Sequence, residues 1–302
     1  MTGRIIKSTG SDYLVRTEDG VLHACKVKGN FRIRGIRSTN PLAVGDIVDF
    51  DGDFIYALHD RKNYIVRRPV NLSKQLHIIA ANLDQTALIV TISQPELDTT
   101  FVDRFLATAE AYSVPAMLVF NKTDLLSNDE RDYLKAVMHL YQSIGYRCIA
   151  VSATQGTGLD MLRKQLHNSI TLLSGNSGVG KSTLINMLIP DSNVQIGPIS
   201  TTHLKGMHTT TFSEMYIGPD NIYLIDTPGI KGFGMVDMKV EEVGHYFPEI
   251  FATARHCRFN NCTHCNEPDC AVLKAVDEEH IAWSRYNSYR SIIDEIGEGK
   301  YR

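Results

Sequence analysis

The stretch Leu172-Leu173-Ser174-Gly175-Asn176-Ser177-Gly178-Val179-Gly180-Lys181-Ser182-Thr183-Leu184-Ile185-Asn186-Met187-Leu188 decides the fold. Leu172 and Leu173 end a buried strand, and Thr183 to Leu188 read as an apolar-faced helix. Between them lies a complete G-x-x-x-x-G-K-S phosphate loop in the strand–loop–helix setting that it requires. Its glycines let successive backbone N–H groups converge on phosphates. Lys181 reaches the outer phosphates, and the Ser182 hydroxyl takes one position on Mg²⁺. A glycine-rich turn before an ordinary helix is the bland alternative. The Lys-Ser ending, together with strand and helix, argues against it.

Working upstream, Thr86 to Ile92 and Ala116 to Phe120 read as buried strands, with a helix from Phe101 to Tyr112 between them. Strands alternating with helices predict a parallel α/β sheet. The second strand runs into Asn121-Lys122-Thr123-Asp124, an N-K-x-D motif. A carboxylate at Asp124 accepts from both N1–H and the 2-amino group of guanine, whereas adenine offers neither donor. Asn121 is suited to bonding the base edge or bracing neighbouring loops, and the Lys122 stem to lying along the base face. A helix from Asp129 to Ile144 and a strand from Cys148 to Val151 lead to Ser152-Ala153, a small pair whose backbone N–H groups suit the base oxygen. The helix from Gly158 to His167 then leads into the strand before the phosphate loop.

Downstream comes Gly206-Met207-His208-Thr209-Thr210-Thr211, ahead of a strand from Phe212 to Ile217. Thr210 is the choice for closing over the γ-phosphate and ligating Mg²⁺, with Thr209 and Thr211 open. A β-rich polar loop would have the same composition. The strand Asn221 to Ile225 ends in Asp226-Thr227-Pro228-Gly229, a D-x-x-G motif. There Asp226 holds Mg²⁺ through water and the Gly229 N–H senses the γ-phosphate. All five guanine-nucleotide elements are thus present, with base recognition ahead of phosphate recognition. Ordinary GTPases run phosphate loop, threonine, D-x-x-G, N-K-x-D, Ser-Ala, so the order here is circularly permuted. Such a rearrangement is tolerable because domain termini lie at the surface and each binding loop still sits at a strand's carboxyl end.

The flanks carry two further modules. From Arg4 to about Val66, short alternating strands are broken at Asp19-Gly20 and Asp51-Gly52, which predicts an OB-fold β-barrel. The stretch Lys26 to Arg37 holds five cations, Phe31 and no anion, a composition suited to RNA. A solvated charged loop would look the same, and the barrel setting favours RNA. Past the GTPase, Cys257, Cys262, His264 and Cys270 form C-x4-C-x-H-x5-C, a tetrahedral donor set for one structural Zn²⁺, with Cys265 able to replace His264. Ala271 to Ile296 reads as one or two helices with Trp283, Tyr286 and Tyr289 packed on an apolar side. The expected modules are residues 1–68, an RNA-binding barrel; 69–236, the permuted GTPase; and 237–302, a helical zinc-binding module.

The 302 residues, 43% hydrophobic and 22% charged, suit a globular chain of two or three modules. The net charge of -3 conceals a surplus of +4 in residues 1–70 against -7 in the rest. An acidic remainder argues against the whole molecule coating nucleic acid, and permits one module to touch it. No apolar run suggests a signal peptide or membrane helix, so a cytoplasmic monomer with no membrane partner is expected. The six cysteines then belong to a reducing compartment.

The barrel, the order N-K-T-D, S-A, G-N-S-G-V-G-K-S, H-T-T-T, D-T-P-G and the zinc spacing together resemble the bacterial ribosome small-subunit-dependent circularly permuted GTPases. The resemblance covers essentially the whole chain. It implies a late-acting assembly factor that binds the small ribosomal subunit and its rRNA, is stimulated by it to hydrolyse GTP to GDP, and leaves after hydrolysis. Met207 departs from the basic residue that the family often has there.

Ile230 follows D-x-x-G, where many GTPases carry a water-orienting glutamine, and an apolar side chain cannot orient water. Slow intrinsic hydrolysis is therefore expected, with His208 supplying the missing group once the threonine loop is ordered; the resemblance points to the same histidine. A His208 that only packs or hydrogen-bonds the loop is the competing reading. The competing function is a GTP-binding adaptor with a protein partner.

Overall fold

Alternation of inward and outward residues builds the front of the chain. In the computed structural model, which describes residues 1–27, 42–67, 77–192, 194, 213–226 and 239–297, five strands form a closed barrel. They are β1 (Thr2–Ser8), β2 (Asp12–Arg16), β3 (Leu22–Val27), β4 (Ile47–Asp51) and β5 (Phe54–Leu58). Their order is β1-β2-β3-β5-β4, closed by the β1–β4 pairing, and β3 and β5 run parallel. Ile5, Tyr13, Val15, Cys25, Val48, Phe50 and Ile55 fill the interior. This is the expected OB-type barrel.

An antiparallel pair, β6 (Tyr64–Arg67) and β7 (His77–Ala81), joins the barrel to the next layer. The boundary expected between residues 68 and 69 falls at their connection, where residues 68–76 lie outside the described residues. The cations from Lys28 to Arg37 also lie outside them; Lys26 is at the end of β3, 3.7 Å from Asp12.

The central layer follows the predicted alternation: β8 (Gln85–Val90), α1 (Thr99–Ala111), β9 (Ala116–Phe120), α2 (Asn128–Ile144), β10 (Arg147–Ala150), α3 (Leu159–Leu166), β11 (Ser169–Ser174), α4 (Lys181–Leu188), β12 (Glu214–Ile217) and β13 (Ile222–Asp226). The order is β10-β9-β8-β11-β13-β12, parallel except for β12. Every residue of β8 is buried, as a strand covered on both faces must be. Leu88 and Val90 face a core shared with Phe105, Leu106, Leu134 and Val137 of α1 and α2. Ala87 and Ile89 face the opposite core, with Leu162 of α3 and Leu184 and Leu188 of α4. Local signals set the helix ends: Asp98 caps α1, and Ser127 and Glu130 form a capping box on α2 worth about 1 kcal/mol.

β1 also pairs with β12, so barrel and central layer share one eleven-stranded sheet. A register shift between Ile5 and Lys7 makes this workable. Successive side chains of the strand point to opposite faces, so Ile5 enters the barrel core and its neighbour Ile6 the central core.

The last module comprises α5 (Pro248–Ala254), α6 (Ala271–Asp277) and α7 (Trp283–Gly297). Its core takes in Val243, Phe247, Ile250, Val272, Tyr286, Tyr289 and Ile292, together with Ala107 of α1. Tyr286 and Tyr289 are packed as expected, but Trp283 is 63% exposed. The correction is physical: α7 begins at Trp283, so its first turn overhangs the core. No described helix is long and apolar enough to cross a membrane.

Candidate nucleotide site and metal centre

The phosphate loop leaves the buried end of β11 and enters α4 at Lys181. Gly175 and Gly180 have φ of +146° and +92°, a region that favours glycine. A Cβ at Gly175 would strike the Ile89 carbonyl, and one at Gly180 the Asn121 amide. The glycines are thus fixed by close packing as well as by torsion. Lys181 folds back, donating to the carbonyls of Gly175 at 2.6 Å and Asn176 at 3.2 Å. Burial holds its ammonium below the ordinary value, opposed by the Asp226 carboxylate. Ser182 and Thr183 follow in the first turn of α4, and Asp226 ends the neighbouring strand β13, paired in register with Leu173.

The N-K-x-D and Ser-Ala segments converge on the same edge. Asn121, 3% exposed, donates its side-chain N–H to the Val179 carbonyl at 2.9 Å and accepts from the Ala153 N–H at 3.1 Å. Of its two sequence-expected roles, bracing is the one it performs here. One amide locks the N-K-x-D, Ser-Ala and phosphate loops together. Lys122 adopts a left-handed backbone and donates to the Gln94 carbonyl at 2.9 Å. The 91–98 segment lies alongside, with Pro95 beside Gly178, and had no recognisable sequence motif.

Asp124 is poised at the mouth. Hydrogen bonding, first from Ser152 and further from Thr154, holds its carboxyl below the ordinary carboxylate range. Oδ2 accepts from Thr154 at 3.3 Å, whereas buried Oδ1 has no hydrogen-bond partner. An unpaired carboxylate oxygen is costly unless donors reach it, and the N1–H and 2-amino group of guanine are donors that would fit it. His208, Thr209, Thr210, Thr211, Gly229 and Ile230 lie outside the described residues.

A second cluster sits in the last module. Cys257, Cys262, His264 and Cys270 direct their ligand atoms to within 4.8 Å of one another. Cys270 Sγ is 3.8 Å from Cys257 Sγ, 3.7 Å from Cys262 Sγ and 3.4 Å from His264 Nδ1. A tetrahedral ion with bonds of about 2.3 Å to sulfur has an S···S edge of about 3.8 Å, so the set fits. Burial first, then hydrogen bonding and charge from Cys270, pushes the Cys262 thiol up to about 12, a tendency that a divalent cation reverses. Cys265 is turned away, its Sγ donating to the Thr263 carbonyl at 3.3 Å. His264, not Cys265, therefore completes the quartet. Tyr286 and Tyr289 donate to the carbonyls of His264 and Thr263, and Glu267 accepts from the backbone of Thr263 and Cys265, which orients the knuckle.

Comparison with known proteins matches the RsgA GTPase family over residues 58–236 and the RsgA N-terminal domain over residues 2–54. The chain belongs to the RsgA GTPase family. It is a GTP hydrolase, and GTP, GDP and Mg²⁺ are the ligands that the family implies. Among its relatives, a small ribosomal subunit biogenesis GTPase RsgA of Bacteroides fragilis is 58% identical, covering 100% of this chain and 99% of that protein. One of Flavobacterium johnsoniae is 50% identical over 97% of this chain and 93% of that protein. Among solved structures, YjeQ from Thermotoga maritima aligns with a TM-score of 0.79 at 30% identity, covering 97% of each chain. YloQ, a circularly permuted GTPase, aligns at 0.75 and 28%, covering 100% of this chain and 96% of that one.

Proposed function

We propose that this RsgA family member is a late assembly and maturation factor of the small ribosomal subunit, a GTPase that binds rRNA and is stimulated by the subunit. The observation that carries the reading is the Asn121 brace, which puts a guanine-reading carboxylate and a phosphate loop into one site in permuted order. Full-length similarity to proteins named for small-subunit biogenesis supports the ribosomal half.

Residues 175–183 cradle the phosphates, with Lys181 turning from its carbonyl partners to the β- and γ-oxygens. Asp124 takes the two guanine donors, the Ala153 N–H is shared with the base oxygen beside Ser152, and the Lys122 stem flanks the ring. Ser182, Thr210 and Asp226 would hold Mg²⁺, which supplies charge neutralisation on the phosphate oxygens. The Gly229 N–H registers the γ-phosphate, and His208 orients the water that attacks in line. Cys257, Cys262, His264 and Cys270 hold one structural Zn²⁺ in a closed site. Residues 1–68 contact rRNA, 69–236 hydrolyse GTP and 237–302 form the zinc-binding module of a cytoplasmic monomer.

The test is phosphate release from GTP and ATP with and without purified small subunits. GTP-selective release that rises with subunits is expected; absence of stimulation removes the ribosomal role. Unchanged stimulated turnover in His208→Ala removes the histidine from catalysis.

A further inference from the structure

β12 has two neighbours. On one side is β13, whose last residue is Asp226; on the other is β1 of the barrel. A single transverse row crosses all of them, Leu14–Lys7–Glu214–Asp226–Leu173. Glu214 and Asp226 are direct partners in an antiparallel pair, so both carboxylates project from one face, an arrangement that repels. Burial, with those two carboxylates adding to it, pushes the Tyr216 hydroxyl on that strand up to about 12. Lys7 answers the repulsion from the barrel side, its Nζ lying 2.9 Å from Glu214 Oε1.

The seam is narrow. Lys7–Glu214 is the register pair between β1 and β12, and the neighbouring Ile6 anchors β1 in the GTPase core while Ile5 anchors it in the barrel core. In sequence, Glu214 stands three residues after Thr211, and Asp226 opens D-x-x-G. The two segments that report the γ-phosphate therefore flank the β12–β13 pair, and the barrel grips the outer strand of that pair.

We infer that Lys7 is a positioning residue for stimulated hydrolysis: its ion pair with Glu214 transmits RNA binding on the barrel to the threonine loop through β12. The pair acts through other residues and touches no substrate. By linkage, if RNA on the barrel changes the affinity for GTP, GTP changes the affinity for RNA by the same factor, while the effect on kcat carries no such symmetry. The inference rests on the ribosomal reading for its activating ligand, but not for the coupling itself.

Lys7→Met keeps the stem and removes the charge, Glu214→Gln does the same from the other side, and Lys7→Glu combined with Glu214→Lys restores the pair in reverse. Intrinsic GTP turnover, subunit-stimulated kcat and cosedimentation with subunits are measured for each. A half-exposed ion pair is worth a factor of up to about five, so each single variant loses about threefold to fivefold of stimulated kcat. Intrinsic turnover and cosedimentation hold within about twofold, and the swap recovers the loss. Unchanged stimulation in the single variants, or a swap no better than they are, overturns the inference. A separate arm uses no ribosome: amide exchange of β1 in the full chain, compared between GDP and a non-hydrolysable GTP analogue with Mg²⁺. Slower exchange of β1 with the analogue in wild type, lost in Lys7→Met, supports the coupling even if subunits prove inert. No nucleotide dependence in wild type refutes it while leaving the ribosomal reading standing.

Discussion

Among the described residues Arg285 is the largest fully buried side chain, and replacing it by Met should undock the last module from α1. It is 1% exposed and bridges two elements: Nη1 donates to Asp103 Oδ1 of α1 at 2.8 Å, and Nε and Nη2 clamp Glu249 of α5 at 2.7 and 3.1 Å. Its guanidinium lies 4.6 Å from the Phe247 ring centroid. Methionine fills much of the volume but strands the two carboxylates, one of which, Asp103, is wholly buried. Stranding a buried charge costs about 3–5 kcal/mol. With urea slopes of about 1–3 kcal/mol/M, that moves the midpoint of module unfolding by about 1–5 M. The sole tryptophan, Trp283, stands at the start of α7 against Tyr286, so its fluorescence reports this transition.

The pH dependence has a definite sign. Burial raises the Asp103 carboxyl above its ordinary value even beside Arg285. A raised carboxyl is satisfied when protonated, so its penalty is absent below the unfolded value and grows as pH rises through the interval up to the folded value. The deficit of Arg285→Met is therefore smaller at pH 5 than at pH 8, and Asp103→Asn added to it recovers stability. A midpoint at pH 8 within about 0.3 M of wild type, equivalent to less than about 1 kcal/mol, refutes the argument. So does a double variant weaker than the single one.

Asp124→Ala removes the carboxylate that accepts from guanine. The preference for GTP over ATP, measured by competition binding, should fall by at least about 100-fold, because a site built around hydrogen bonds discriminates by far more than a shape-only pocket. A preserved preference would move base recognition elsewhere. Cys270→Ser removes a donor that also accepts from the Leu273 N–H at the start of α6. Metal analysis should show the zinc content falling from about one per chain, with loss of helical signal. Full zinc occupancy in this variant would shift the site to another quartet.

The nucleotide site was legible because its chemistry is local. Gly175 and Gly180 are demanded by backbone torsion and close approach, and Asn121 to Asp124 sit on four consecutive residues. The Cys and His spacing was equally local, but the choice between His264 and Cys265 depended on which way a tight turn pointed each side chain. What stayed hidden is non-local. Arg285 and Asp103 are 182 residues apart, and no spacing rule joins them. A trace was present: Arg285 lies four residues before Tyr289 and seven before Ile292, a cation on the apolar stripe of α7 that required a buried partner. The doublet Ile5-Ile6 likewise breaks a strict in-out alternation and marks a strand shared by two cores. The 91–98 segment beneath Lys122 acts through backbone carbonyls, which no residue type announces.

The permuted order has a consequence that the sheet makes mechanical. In the usual order, the chain leaving D-x-x-G continues within the GTPase layer, and the strand after the threonine loop stands at an open edge. Here the chain leaving Asp226 leads to residue 239 and the last module with its Cys/His quartet, and that edge, β12, is taken by β1 of the barrel. The threonine segment and the D-x-x-G segment are thus tied to different accessory modules, one by a strand ladder and one by covalent connection. The last module also returns to the site by a third path, since α1, which it grips through Asp103, begins just after the segment holding Lys122. A GTPase wired this way can report its nucleotide state to two distant surfaces at once. Conversely, a partner that is to act on both segments has to engage both modules. A large, multi-surface target meets that requirement better than a single peptide does, which is the physical reason for preferring a ribosomal subunit to a small protein partner.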